Sequence, residues 1–117
     1  TVYVFPPIGI DLQGRHILDE DTSEHNQYGF YLLSKRFTPE VVAAVQETAK
    51  RAFCLLQMDV YGRIDFRITP NGNAFIFDVS TTPYTTKHSS FAYAFNQLGF
   101  KYCDIYRAVI SAALMRE

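Results

Sequence analysis

The stretch Tyr61-Gly62-Arg63-Ile64-Asp65-Phe66-Arg67 and its continuation Phe77-Asp78-Val79-Ser80, joined through Asn71-Gly72, decide how the chain is read. Asn-Gly is the strongest short-range signal for a two-residue hairpin turn, because both turn residues must take positive φ. Pairing about it sets Asp65 opposite Asp78 and Arg63 opposite Ser80. Period-two alternation then puts Ile64, Phe66, Ile68, Phe75, Phe77 and Val79 on one apolar face. Arg63, Asp65, Arg67, Asp78 and Ser80 take the other. Like charges directly opposite one another destabilise a sheet, so something must offset the two carboxylates. A divalent cation is one answer, since hard ions such as magnesium take oxygen ligands and bind through one or two carboxylates plus substrate phosphates. A plainer answer is that both acids are solvated or paired with Arg63 and Arg67, an arrangement worth little on a surface.

Working outward, Thr38-Pro39-Glu40 opens a helix, with threonine as N-cap, proline in the first position and glutamate in the first turn. Val41, Val42, Val45, Ala49, Ala52, Phe53 and Leu56 recur at helical spacing, which predicts about five turns burying that stripe against a sheet. Upstream, Thr1 to Phe5 is β-branched and aromatic and reads as a strand ended by Pro6-Pro7. Arg15 to Leu18 is a possible short strand, residues 19–24 an acidic solvated loop, and Tyr28 to Leu33 another strand. Downstream of the hairpin, Ser89 or Ser90 caps a helix that Gly99 ends, and Asp104 caps a last helix carrying Ile105, Val109, Ile110 and Leu114. The fold class is α+β, with helices on one face of an antiparallel sheet.

The 117 residues, 48% hydrophobic and 15% aromatic, are enough for one domain with a real core. A net charge of -1 leaves no electrostatic footprint for nucleic acid or an anionic membrane surface. No run approaches the roughly 20 apolar residues of a membrane span, and no signal peptide opens the chain. The expected setting is a soluble, reducing, cytoplasmic one. Cys54 and Cys103 fall in apolar segments and are expected to be buried and unpaired. The chain begins on a strand already under way with no initiator methionine, and residues 1–117 are expected to be one domain from a longer protein.

The segment from Gly62 to Ser89 resembles the C-terminal lobe of the ATP-grasp domain in D-alanine-D-alanine ligases. Gly-Arg-Ile-Asp, the thirteen residues from Asp65 to Asp78, and Thr-Thr-Pro-Tyr-Thr-Thr-Lys-His-Ser carry the likeness. That family has Gly-Arg-hydrophobic-Asp on one strand, Glu-x-Asn-x-x-Pro-Gly-x-Thr on the next, and then a Ser-bearing loop. The resemblance extends more weakly to the helix before the hairpin and the two after it. It implies the C-terminal half of an ATP-grasp fold, with the adenine-binding lobe, the glycine-rich lid and a ribose-binding glutamate outside this chain.

Carried over residue by residue, the resemblance implies Asp65 as a magnesium ligand, Asp78 in place of a bridging glutamate, and Ser80 in place of an asparagine ligand. Arg63 matches the arginine that stabilises the acyl-phosphate and tetrahedral species. Ser89 matches a serine that helps hold the substrate carboxylate. His88 matches a histidine of some members, or is an exposed loop histidine. Lys35 stands for a phosphate-binding lysine or for a lysine on a solvated loop. ATP would be co-substrate with, by analogy, two magnesium ions, beside a small carboxylate and amine pair. The implied reaction is ATP-dependent ligation through an acyl phosphate, with the 117-residue piece alone expected not to turn over. Aspartate at 78, serine at 80 and Tyr84 where the family has glycine are departures. They motivate the alternative of a degenerate, non-catalytic module that binds a nucleotide or a protein partner. The third reading is an unrelated α+β domain with a surface ion-pair hairpin.

Overall fold

The computed structural model describes residues 2–12 and 28–115. The strand expected at Arg15 to Leu18 and the acidic run at 19–24 lie outside those residues. Strand β1 (Ile8–Asp11) pairs antiparallel with β2 (Gly29–Leu32), and a 3-10 turn, Leu33–Lys35, leads to helix α1 (Pro39–Leu55). Then come β3 (Arg63–Ile68), β4 (Ala74–Ser80), α2 (Ser90–Gln97) and α3 (Asp104–Met115). The class is α+β as expected, but the described strands form two separate two-stranded ladders and not one sheet.

The first strand is displaced from its expected place. Residues 2–7 join no ladder, and β1 starts after the proline pair. Proline is tolerated before a strand because only its carbonyl is called on, and the Pro7 carbonyl accepts from Leu33 N–H at 2.9 Å. Val4 and Phe5 are instead tied to α1, where Gln46 Nε2 donates to their carbonyls at 3.5 and 3.3 Å.

Helix α1 forms as its sequence dictates: Thr38 Oγ1 accepts from Val41 N–H at 3.4 Å, Pro39 needs no donor, and the helix runs for seventeen residues from Pro39. Its stripe is only partly covered. Val45 is buried, whereas Leu56 is 58% exposed. Cys54 lies nine residues, or about two and a half turns, from Val45 and therefore on the opposite side of the helix. This is why it is exposed and not a core thiol; Cys103, in the turn before α3, is exposed as well, and both are free.

The two later helices contribute three of the six buried apolar residues described. Ile105 has no exposed surface, and Ala94, Phe95, Leu33 and Tyr28 are buried with it. Helix α2 ends in a full Schellman arrangement: Phe100 N–H bonds the Phe95 carbonyl, Gly99 N–H bonds that of Asn96, and Gly99 takes φ +87. The Phe95 and Phe100 rings, 5.9 Å apart, supply the apolar contact that accompanies this cap. Asp104 sits inside the first turn of α3 and reaches back, its Oδ2 accepting from Lys101 N–H at 2.8 Å. No helix among the described residues is long and apolar enough to cross a membrane.

Candidate functional site

The hairpin keeps the expected partners at its base and loses them at its tip. Arg63 pairs with Ser80, Ile64 with Val79 and Asp65 with Asp78, but Phe66 pairs with Ile76 and Ile68 with Ala74. The tip is a three-residue turn. Gly72 N–H bonds the Thr69 carbonyl and Thr69 N–H the Asn73 carbonyl, each at 2.9 Å, with Gly72 at φ +91 and Asn71 outside the positive-φ region. Pro70 explains the change. In a two-residue Asn-Gly turn it would have to donate to the ladder, which it cannot, whereas the second position of a turn suits its fixed φ.

A bulge at Phe77 then restores the pairing of the acids. The apolar face is thereby corrected: Ile76, opposite Phe66, replaces Phe77, and Phe75 lies opposite Arg67. Phe75 and Phe77 are 60% and 62% exposed.

Four sequence-selected residues thus meet on one face. Arg63 grips Asp65 with a two-pronged fork, Nε donating to Oδ1 at 2.7 Å and Nη2 to Oδ2 at 3.1 Å. Both side chains are largely covered, at 33% and 24% exposure. Asp78 is exposed, and its Oδ1 accepts from Val79 N–H at 2.9 Å. Ser80 Oγ accepts from Thr82 N–H at 3.3 Å. Among the described residues no group of three or more His, Cys, Asp and Glu is placed to hold a metal. What the face offers is a pair of acids, a donor set of the kind that holds magnesium together with waters and substrate phosphates.

Ser89 and His88 end the loop that leaves β4. Ser89 is the cap of α2, its hydroxyl accepting from Ala92 N–H at 3.1 Å while donating to the Thr86 carbonyl at 2.6 Å. Its one proton is committed to Thr86. His88 is half-buried, not an exposed loop residue, with its ring 4.7 Å from that of Tyr28 and 5.1 Å from that of Phe30. Among the described residues its buried Nε2 has no hydrogen-bond partner. The ring borders a cavity of about 290 Å³ that Lys87, Ser89, Asn96 and Tyr102 also line. Lys35 closes the 3-10 turn and is exposed.

The sequence reading passed over Tyr102 and Tyr106, which clamp the same loop to α3. Tyr102 OH donates to the Thr85 carbonyl at 2.8 Å, and Tyr106 OH, 2.8 Å from Tyr102 OH, reaches that carbonyl at 3.2 Å. Their four-residue spacing at a helix start, which stacks side chains on one face, was the signal available. Hydrogen bonds from Thr85 and Tyr102 draw the Tyr106 hydroxyl below the usual tyrosine range. The hydrogen bond with Tyr106, then burial and the neighbouring charge, raise that of Tyr102.

Known proteins resemble this chain over most of its length. The profile of the family described as D-ala D-ala ligase C-terminus matches residues 3–111. A D-alanine--D-alanine ligase of Saccharophagus degradans is 29% identical over 111 residues, 94% of this chain and 35% of that protein. One of Burkholderia orbicola is 33% identical over 84 residues, 72% of this chain and 27% of its own length. One of Methylacidiphilum infernorum is 29% identical over 86 residues, covering 74% and 28%. The chain therefore spans about a third or less of the relatives it matches.

Proposed function

From the premise that the chain belongs to the D-Ala-D-Ala ligase C-terminal family, we propose that it is the C-terminal lobe of an ATP-dependent carboxylate-amine ligase. In this reading ATP phosphorylates a carboxylate, and an amine attacks the acyl phosphate to give an amide and release phosphate. The large apolar side chains left at the surface, Phe75, Phe77, Leu55 and Leu114 among them, suit a lobe on which further protein packs.

The observation that carries the proposal is the cross-strand pairing of Asp65 and Asp78 beside Arg63. Asp65 and Asp78 would hold magnesium, with Ser80 as a neutral oxygen beside them. Bound there, the metal supplies neutralisation of phosphate charge and in-line alignment. Arg63 contributes a planar fork that matches phosphate or carboxylate oxygens and stabilises negative charge as it grows on the reacting centre. In this reading Ser89 and His88, on the loop clamped by Tyr102 and Tyr106, serve the substrate, and Ser89 can give its proton to a substrate carboxylate only by leaving Thr86. Lys35, exposed at the end of the 3-10 turn, is the residue the resemblance offers for phosphate. The test is MgATP binding and amide formation by the full-length protein and its Asp65→Asn and Asp78→Asn variants. Loss of both activities in the variants is expected; wild-type-like ligation by Asp65→Asn would overturn the assignment.

A second reading, a nucleotide- or partner-binding module without catalysis, rests on the shortened acid at 78 and on Ser80, whose oxygen already serves Thr82. Magnesium-independent nucleotide binding without ligation by the full-length protein would select it.

A further inference from the structure

Arg63 and a divalent cation require the same atoms. The guanidinium takes one lone pair on each oxygen of Asp65, and it takes them from the open side of the carboxylate, where a chelated cation would sit. A carboxylate has about four lone-pair sites in all. A second positive charge brought to those oxygens meets both a lost hydrogen bond and the repulsion of the guanidinium at close range, in a pair mostly shielded from water.

We infer that Arg63 is an internal counter-ion competing with the metal for Asp65, so that loading the metal releases the guanidinium and arms it as the anion clamp. This rests on the reading of Asp65 as a metal ligand. The competition is set up by sequence: Arg63 and Asp65 are two apart on β3, hence on the same face and always within reach of one another. No rearrangement of the backbone is needed, only a rotation of one long side chain. The consequence is an order of events. An arginine held by Asp65 cannot grip a substrate anion, so the clamp comes into play only where the metal is already seated. Asp78, across the ladder, carries a neutral partner at Oδ1, the Val79 N–H, and it offers the metal a first foothold.

The experiment uses the full-length protein and metal ions alone. Titration with Mg2+, followed by the Arg63 Nε–H and backbone amide signals of Asp65 and Asp78 in nitrogen-proton correlation spectra, reads release of the fork directly. Titration with Mn2+, followed by paramagnetic broadening of the same amides, gives the affinity in wild type, Arg63→Gln and Arg63→Lys. The Arg63 Nε–H signal is expected to shift with the same midpoint as Asp65. Arg63→Gln is expected to bind Mn2+ about tenfold more tightly than wild type, the equivalent of ~1.4 kcal/mol. Arg63→Lys, which keeps the charge and loses the fork, should fall between.

Wild-type binding with no gain in Arg63→Gln, or an Arg63 signal indifferent to Mg2+, would overturn the competition and leave the metal reading standing. Absence of binding in every variant, with thermal melts unchanged, would overturn both.

Discussion

Val41, in the first turn of α1, lies so close to Gly72 at the hairpin tip that a Cβ on the glycine would come within 2.9 Å of its Cγ2. The same glycine holds φ +91. Gly72→Ala therefore meets both a backbone that L-residues avoid and a methyl group in the way. We expect a loss of about 1–2 kcal/mol, read as a fall in the denaturation midpoint. Gly72→Ala combined with Val41→Ala should recover the steric part only.

Val60 is the converse case. A β-branched residue at φ +66 is held between its own N–H bond to Asp59 Oδ1 at 2.9 Å and the Tyr61 N–H bond to the Asp59 carbonyl at 2.8 Å. Val60→Gly relieves the left-handed strain but loosens the unfolded chain. The net expected is a gain of up to about 1 kcal/mol, seen in urea melts. A loss of that size would mean that the packing of the half-buried valine outweighs its backbone strain.

Ser89 and Ser90 are adjacent in sequence and unequal in structure. Removing the Ser89 hydroxyl unties Ala92 N–H and the Thr86 carbonyl together, for an expected cost of about 1–2 kcal/mol. Ser90→Ala should change stability by less than about 0.5 kcal/mol. Equal effects in parallel melts would contradict the capping assignment.

The two clamping tyrosines should titrate apart. Tyr106, stabilised as phenolate by Thr85 and Tyr102, loses its proton first, and its charge then holds the proton on Tyr102. Absorbance at the phenolate band is expected to show one tyrosine below the ordinary range and one above it. Tyr102→Phe removes a donor and should move the early step upward in pH.

Much of this was legible in the chain. Thr38-Pro39, Gly99 and the Arg63/Asp65 alternation act through rules confined to a few neighbouring residues, and each element they mark formed where expected. The failures came where distant parts decide. The N-terminal strand began late because Pro7 found Leu33 as its partner. Cys54 is exposed because nothing described packs on that side of α1. Phe77 left the apolar face because of a bulge no local pattern announced, although Pro70 should have warned against a two-residue turn. In the site, the acids and arginine were visible as a pattern of types, but the fork between Arg63 and Asp65 and the seat of His88 against Tyr28 depend on rotamers and on residues sixty positions away.

The bulge divides the hairpin into two parts whose registers are offset by one residue. The pairs from Phe66 and Ile76 to the tip follow the turn alone; those from Asp65 and Asp78 to the base follow turn and bulge together. For anyone rebuilding this protein, turn and bulge are therefore a matched pair: a tip re-registered as a two-residue Asn71-Gly72 turn with the bulge kept would set Asp65 opposite Val79, so the two must be redesigned together.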